Sequence, residues 1–199
     1  MRSAFLASAA CALITVASIH AQAAPKTIQF PLKVAGGAAS CLPSATGNVI
    51  DHSFGEFENL EVVVKGLPPN TAFDLFSIQV PNPPFGLAWY IGDIVTDERG
   101  VGVGNFTGRF NIETFVVSPG AAPSPQVFTK PPFPNAATGV TVAPVQLYHL
   151  GLWFNSPADA AKAGCASTVT PFNGEHNAGI QVLNTGSFPD LKGPLFYLK

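Results

Sequence analysis

The clearest alternation of apolar and polar positions begins at Leu60. In NLEVVVK, Leu60, Val62 and Val64 alternate with Glu61, Val63 and Lys65. That period of two marks a half-buried strand, because successive side chains leave opposite faces. GLPPN breaks the run, since neither Pro68 nor Pro69 can donate to a ladder and Gly66 and Asn70 suit a turn. TAFDLFSIQV resumes it, with Phe73, Leu75 and Ser77 on one face and Asp74, Phe76 and Ile78 on the other. The two runs predict antiparallel neighbours or strands in facing sheets. LAWYIGDIV predicts a further strand and TDERG a polar turn closed by Gly100. VGVGNFTGRFNIETFVV predicts a long strand whose apolar phase shifts between Val103 and Phe106, which implies a bulge near Gly104 and Asn105.

Residues 118–139 hold six prolines without sustained periodicity and predict an extended surface loop. VTVAPVQLYHLGLWFN is apolar on both faces, as a central buried strand would be. SPADAAKAGC carries the helix signal, near residues 157–163. Ser156 can cap, Pro157 fits the first helical position, Asp159 stands where a capping-box acid belongs, and Gly164 can end the helix. GIQVLNT and PLFYL predict the last strands. About seven to nine short strands between Gly/Pro/Asn turns predict an all-β fold, an immunoglobulin-like β-sandwich.

VKGLPPNTAFDLF, followed at a distance by TDERGVGVGNF, resembles a pattern common in secreted bacterial immunoglobulin-like and fibronectin-like domains. There a G-L-x-P-x-T turn links two strands and an acidic-glycine hairpin follows. The resemblance covers roughly residues 60–110 and implies an architecture, not an activity.

The N-terminus changes the picture of where the protein works. Arg2 precedes an uncharged apolar run from Ala4 to Ile19, and AQA at residues 21–23 has the small-x-small form that signal peptidase reads. The run, at about 16 residues, is short of the roughly 20 that a membrane span needs. Residues 1–23 are therefore expected to be a removed signal peptide. The mature chain, residues 24–199, is expected to be one secreted or periplasmic domain without a membrane span. Cys11 lacks the lipobox context of a lipid anchor, since Ser8 stands where a branched aliphatic belongs. Cys41 and Cys165 remain, and an oxidising compartment predicts a disulfide between them. Charged residues make up 11% of the chain, and without Arg2 nine basic side chains face twelve acidic ones. No basic face for nucleic acid or an anionic membrane follows from that balance.

Three histidines lie outside the signal: His52, His149 and His176. With Asp51 and Glu175 they include metal-ligating residue types, but no H-x-H, H-x-x-x-H or H-E-x-x-H spacing occurs, so no metal site is expected. His149 reads as a strand histidine held within the sheet, and His52 and His176 as residues of polar turns. Glu175 and His176 in FNGEHN could cooperate only on a loop, and no G-x-S-x-G elbow supplies a nucleophile. The acids Glu56, Glu58 and Glu61, and Asp93, Asp97 and Glu98, read as solvated strand faces or a hairpin turn. GVGVGN lies on a strand with no helix after it, so it is not a phosphate loop. Trp153 is expected in the sandwich core, and Trp89 on the surface.

These residues predict an exported, non-enzymatic domain with a binding or cell-envelope role and an unidentified protein or glycan partner. No catalytic residue, metal or cofactor is expected. Ligand contacts are expected at Trp89, Tyr90, Glu175 and His176. The alternative is a small exported hydrolase or metalloprotein using Glu175, His176 and His149.

Overall fold

The computed structural model describes residues 25–55, 57–113, 145–170 and 177–198. The signal segment, the proline-rich stretch at 118–139 and the pair Glu175 and His176 lie outside these residues. The elements are β1 (Lys26–Val34), β2 (Thr46–Ser53), β3 (Glu58–Lys65), β4 (Ala72–Ile78), β5 (Ala88–Val95), β6 (Gly102–Gly108), β7 (Ile112–Glu113), β8 (Val145–Gln146), β9 (His149–Phe154), α1 (Pro157–Lys162) and β10 (Gln181–Asn184). No helix among the described residues is long and apolar enough to cross a membrane.

Eight strands form one antiparallel sheet in the order β5-β4-β9-β10-β1-β2-β3-β6, and β7 pairs with β8. β1 joins two walls, pairing with β2 from Lys26 to Leu32 and with β10 only at Lys33 and Val34. The edge strands β5 and β6 are consecutive in the chain, and Thr96 bridges Gly102 across their hairpin. Side chains fill the seam beyond that bridge. A Cβ on Gly92 of β5 would come within 2.5 Å of the Phe106 ring of β6, and one on Gly102 within 2.7 Å of Ile94. The sheet is therefore nearly a barrel. The all-β expectation holds; one sheet with approaching edges does not establish an immunoglobulin-like sandwich. β3 and β4, consecutive in the chain, are separated in the sheet by β9, β10, β1 and β2, which puts them on different walls.

The core is the set of inward positions: Phe30 and Leu32 on β1, Leu60, Val62 and Val64 on β3, Phe73 and Leu75 on β4, Leu150, Leu152 and Phe154 on β9. Phe73 and Phe154 face each other across β4 and β9 with ring centroids 5.0 Å apart. β9, with β4 and β10 on either side, is buried along its whole length, as its apolar run implied. Cys41 and Cys165 form the expected disulfide, Cα atoms 5.2 Å apart, tying the β1–β2 connection to the end of α1. Ser156 caps α1 by accepting the Asp159 N–H at 3.1 Å and donating to the Asp159 carboxylate at 2.7 Å.

Two expectations fail for identifiable reasons. β6 carries no bulge at Gly104–Asn105, because β3 and β6 pair without a break from Glu58↔Gly108 to Val64↔Gly102. The inward positions of β6 are Gly102, Gly104 and Phe106, while Val103 faces solvent, so the apolar phase slips without the backbone slipping. The real irregularities lie between Leu75 and Phe76 and between Gln181 and Leu183. The C-terminal PLFYL is a 3-10 turn at Pro194–Tyr197, not a strand. Pro194 opens it, and Leu195 is buried with its N–H donated to the Tyr148 carbonyl.

Candidate functional site

The wall built from β5, β4, β9 and β10 carries an aromatic outer face. Strand register sets Tyr90, Phe76, Gly151 and Asn184 in one row, and Asp93, Asp74, Trp153 and Gln181 in the next. Tyr90 meets Phe76 edge-on at 5.6 Å, Phe76 meets Trp153 at 5.4 Å, and Trp153 meets Phe85 at 5.1 Å. Trp153 lies over Gly151, where any Cβ would collide with the indole. It is buried, yet it packs with Ile78 and Ala178 apart from the main core. The expectation of a core tryptophan is thus corrected in position: Leu152 and Phe154 take the inward positions of β9, and strand alternation sends Trp153 outward.

Polar groups complete this face. The Tyr90 hydroxyl donates to Asp93 at 2.6 Å. Burial, then the Asp93 hydrogen bond and the charges of Asp93 and Asp74, push the phenol above its ordinary range. The buried Trp153 Nε1–H and Gln181 Nε2–H, on directly paired residues, have no acceptor among the described residues. Trp89 and Tyr90 are 45% and 43% exposed. Register sets Tyr90 opposite Phe76 and Trp89 opposite Ser77, so the two rings leave β5 on opposite faces and Tyr90 alone joins the row. Glu175 and His176 lie outside the described residues; Thr170 and Ala178, which flank their segment, bridge each other beside Trp153.

His149 is held within the sheet as expected. Its Nε2 lies 2.9 Å from the Asp190 carbonyl and its Nδ1 2.7 Å from the Thr185 hydroxyl. A carbonyl only accepts, so Nε2 carries the proton and Nδ1 accepts from Thr185. Burial holds the imidazole below its usual range, against the opposing pull of Asp190, Pro189 and Thr185. Both ring nitrogens are engaged.

His52 is not in a turn: it lies on β2, and its Nδ1 is 2.8 Å from the Thr27 hydroxyl. Thr27, His52, Asn59 and Thr107 line up across β1, β2, β3 and β6 on the outer face. An open groove of about 310 Å³ runs between His52, Asn59 and Thr107 on one side and Glu61 and Asn105 on the other.

The inner face of that wall ends in acids. Glu58 is not a solvated strand residue; it is 2% exposed, and its carboxylate accepts the Phe110 N–H at 2.5 Å. Burial raises its pKa, opposed by the Phe110 and Asn111 N–H groups and by Arg109. Asp51, fully buried, has no hydrogen-bond partner at either carboxylate oxygen among the described residues. Burial, with the charge of Glu58, pushes it up to about 8. Among the described residues no three His, Cys, Asp or Glu side chains gather into a metal-binding group.

No family model, curated protein or solved structure matches this chain.

Local pattern carried part of the site. Trp89 and Tyr90 are legible as aromatic and near the surface, but their division between faces depends on the irregularity beside Phe76. Phe76 is legible only as part of one strand face, and Phe85 and Gln181 carry no local mark, because nothing in their neighbours assigns the three to one surface. The alternation Val49, Asp51, Ser53 was an available signal that an acid shares a face with a core valine.

Proposed function

We propose that this protein is an exported, non-enzymatic binding domain that takes a glycan on the outer face of the β5-β4-β9-β10 wall. The observation that carries this reading is the continuous ring row Tyr90–Phe76–Trp153–Phe85, open to solvent at Tyr90 and flanked by Asp93. Ligand sites combine an apolar floor with a few placed polar groups. Sugar rings suit such a floor, since their C–H faces stack on aromatics and their hydroxyls meet carboxylates. The signal-like N-terminus and the Cys41–Cys165 bridge support export to the periplasm or exterior. In this reading the near-barrel is a relative of the immunoglobulin-like sandwich that residues 60–110 resemble, with β3 and β4 on separate walls.

The test is retention on a panel of soluble and insoluble polysaccharides, followed by titration with tryptophan fluorescence. Tyr90→Ala should weaken binding about tenfold or more, as loss of a stacking ring does, and leave the melting temperature within a few degrees. Asn105→Ala, in the groove on the other wall, should bind as wild type. Failure of every polysaccharide to bind, or wild-type affinity in Tyr90→Ala, would refute the assignment.

A further inference from the structure

The acids at the end of the β2–β3 wall form a second feature, remote from the aromatic face. Ser53 and Glu58 stand directly opposite each other, and Asp51 follows two residues along the same inward face, opposite Leu60. Asp51 is fully buried, and among the described residues neither of its oxygens receives a donor. The charge of Glu58 reaches it, so the two carboxyls share one interior. Asn111 enters the same place from the connection after β6. Its backbone N–H donates to the Glu58 carboxylate, and its Nδ2 donates to the Leu198 carbonyl at 3.3 Å. Its side-chain oxygen Oδ1, on a residue 5% exposed, has no donor either.

Among the described residues, three buried oxygen acceptors thus stand without hydrogen-bond donors beside a carboxylate with backbone donors of its own. A buried carboxylate is uncharged, paired or bound to a metal ion. No hydrogen-bonding or ion-pair partner of Asp51 exists among the described residues. Arg109, whose charge bears on Glu58, is exposed at the end of β6. The donor set is all oxygen: two carboxylates, one amide oxygen and one hydroxyl. No sulfur or imidazole offers itself to a softer metal.

We propose that Asp51, Glu58, Asn111 and Ser53 bind one hard divalent cation, with calcium the best fit to this donor set. Two carboxylates balance its charge, and neutral oxygens complete the shell in the manner of calcium sites. The ion cross-links β2, β3 and the β6–β7 connection, and so pins the end of the barrel where the sheet gives way to the turn before β3.

The full-length protein, stripped with EDTA and dialysed, is titrated separately with calcium, magnesium and manganese by calorimetry, and melted with and without each ion. One equivalent of calcium should bind. At an ion concentration ten times Kd the folded-to-unfolded ratio should rise about elevenfold. Asp51→Asn and Glu58→Gln should each lower the affinity by about tenfold or more, while Asp93→Asn on the aromatic wall keeps wild-type binding. Uptake of none of the three ions by the wild type at about 10 mM, well above the affinities of extracellular calcium modules, overturns the proposal and leaves the acids holding protons alone. Wild-type affinity in both acid variants, or loss of binding in Asp93→Asn, overturns it equally by moving the ion elsewhere. Should one acid variant not fold, the wild-type stoichiometry and the other variant decide.

Discussion

Reducing the Cys41–Cys165 bridge gives a perturbation whose size follows from the chain alone. The bridge spans 124 residues, and the chain-entropy relation puts the restriction it imposes on the unfolded chain at about 5 kcal/mol at 25 °C. In the fold its ends are held independently, since Cys165 accepts its place in the core and its N–H is donated to the Ala160 carbonyl. Breaking the bond therefore changes the native state little and the unfolded state greatly. Urea unfolding of the same chain with and without dithiothreitol, followed by tryptophan fluorescence, measures the difference. The reduced form should lose about 3–5 kcal/mol and show a larger m-value, because its unfolded chain exposes more surface. Extrapolated free energies are compared, since midpoints alone would mix the two effects. A loss under about 1 kcal/mol with an unchanged m-value would refute the reasoning: the unfolded chain would then already hold residues 41 and 165 close together.

Acidification should destabilise the protein through His149. Its folded-state pKa is depressed, so its contribution is complete above the ordinary histidine range and is lost as pH falls through that range and below; His149→Gln should flatten that part of the stability-pH curve, and parallel wild-type and variant curves would contradict it. Gly100→Ala should cost roughly 2 kcal/mol or more, because Gly100 sits at φ +73° with its missing Cβ against the Leu67 carbonyl; thermal unfolding reads the loss, and an unchanged melting temperature would count against that close approach of Gly100 to Leu67. Mass spectrometry of protein recovered from the extracytoplasmic fraction should show Ala24 as the first residue, whereas an intact Met1 would remove the export reading.

The fold was legible wherever a signal was local. The alternation of β3 and the Ser156–Asp159 cap each depend on residues within a few positions of one another and formed as expected, while of the run VTVAPVQLYHLGLWFN the part His149–Phe154 is the central buried strand and Val145–Gln146 pairs separately with β7. β1 was obscured although Ile28, Phe30, Leu32 and Val34 alternate in it, because Pro31 interrupts the strand signal. β6 misled because a glycine facing inward looks, in sequence, like a break in the apolar phase.

The sequence by itself determined the β character of the chain, the short capped helix and the pairing of Cys41 with Cys165. These rest on backbone sterics, capping geometry and the two cysteines outside the signal-like segment, and each is read without knowing the strand order. Only the tertiary structure decided which face of each strand points inward and what meets it. Period-two alternation names two faces without saying which is covered, and the answer came from strand order. That order turned Trp153 outward beside Phe76 and Phe85, parted Trp89 from Tyr90, and buried Asp51 and Glu58 beneath a wall whose other face is polar. The chemistry of this protein lies in those placements, because strand pairing and the packing of the walls set them, with β4 meeting β9 and β1 meeting β10 across long stretches of chain.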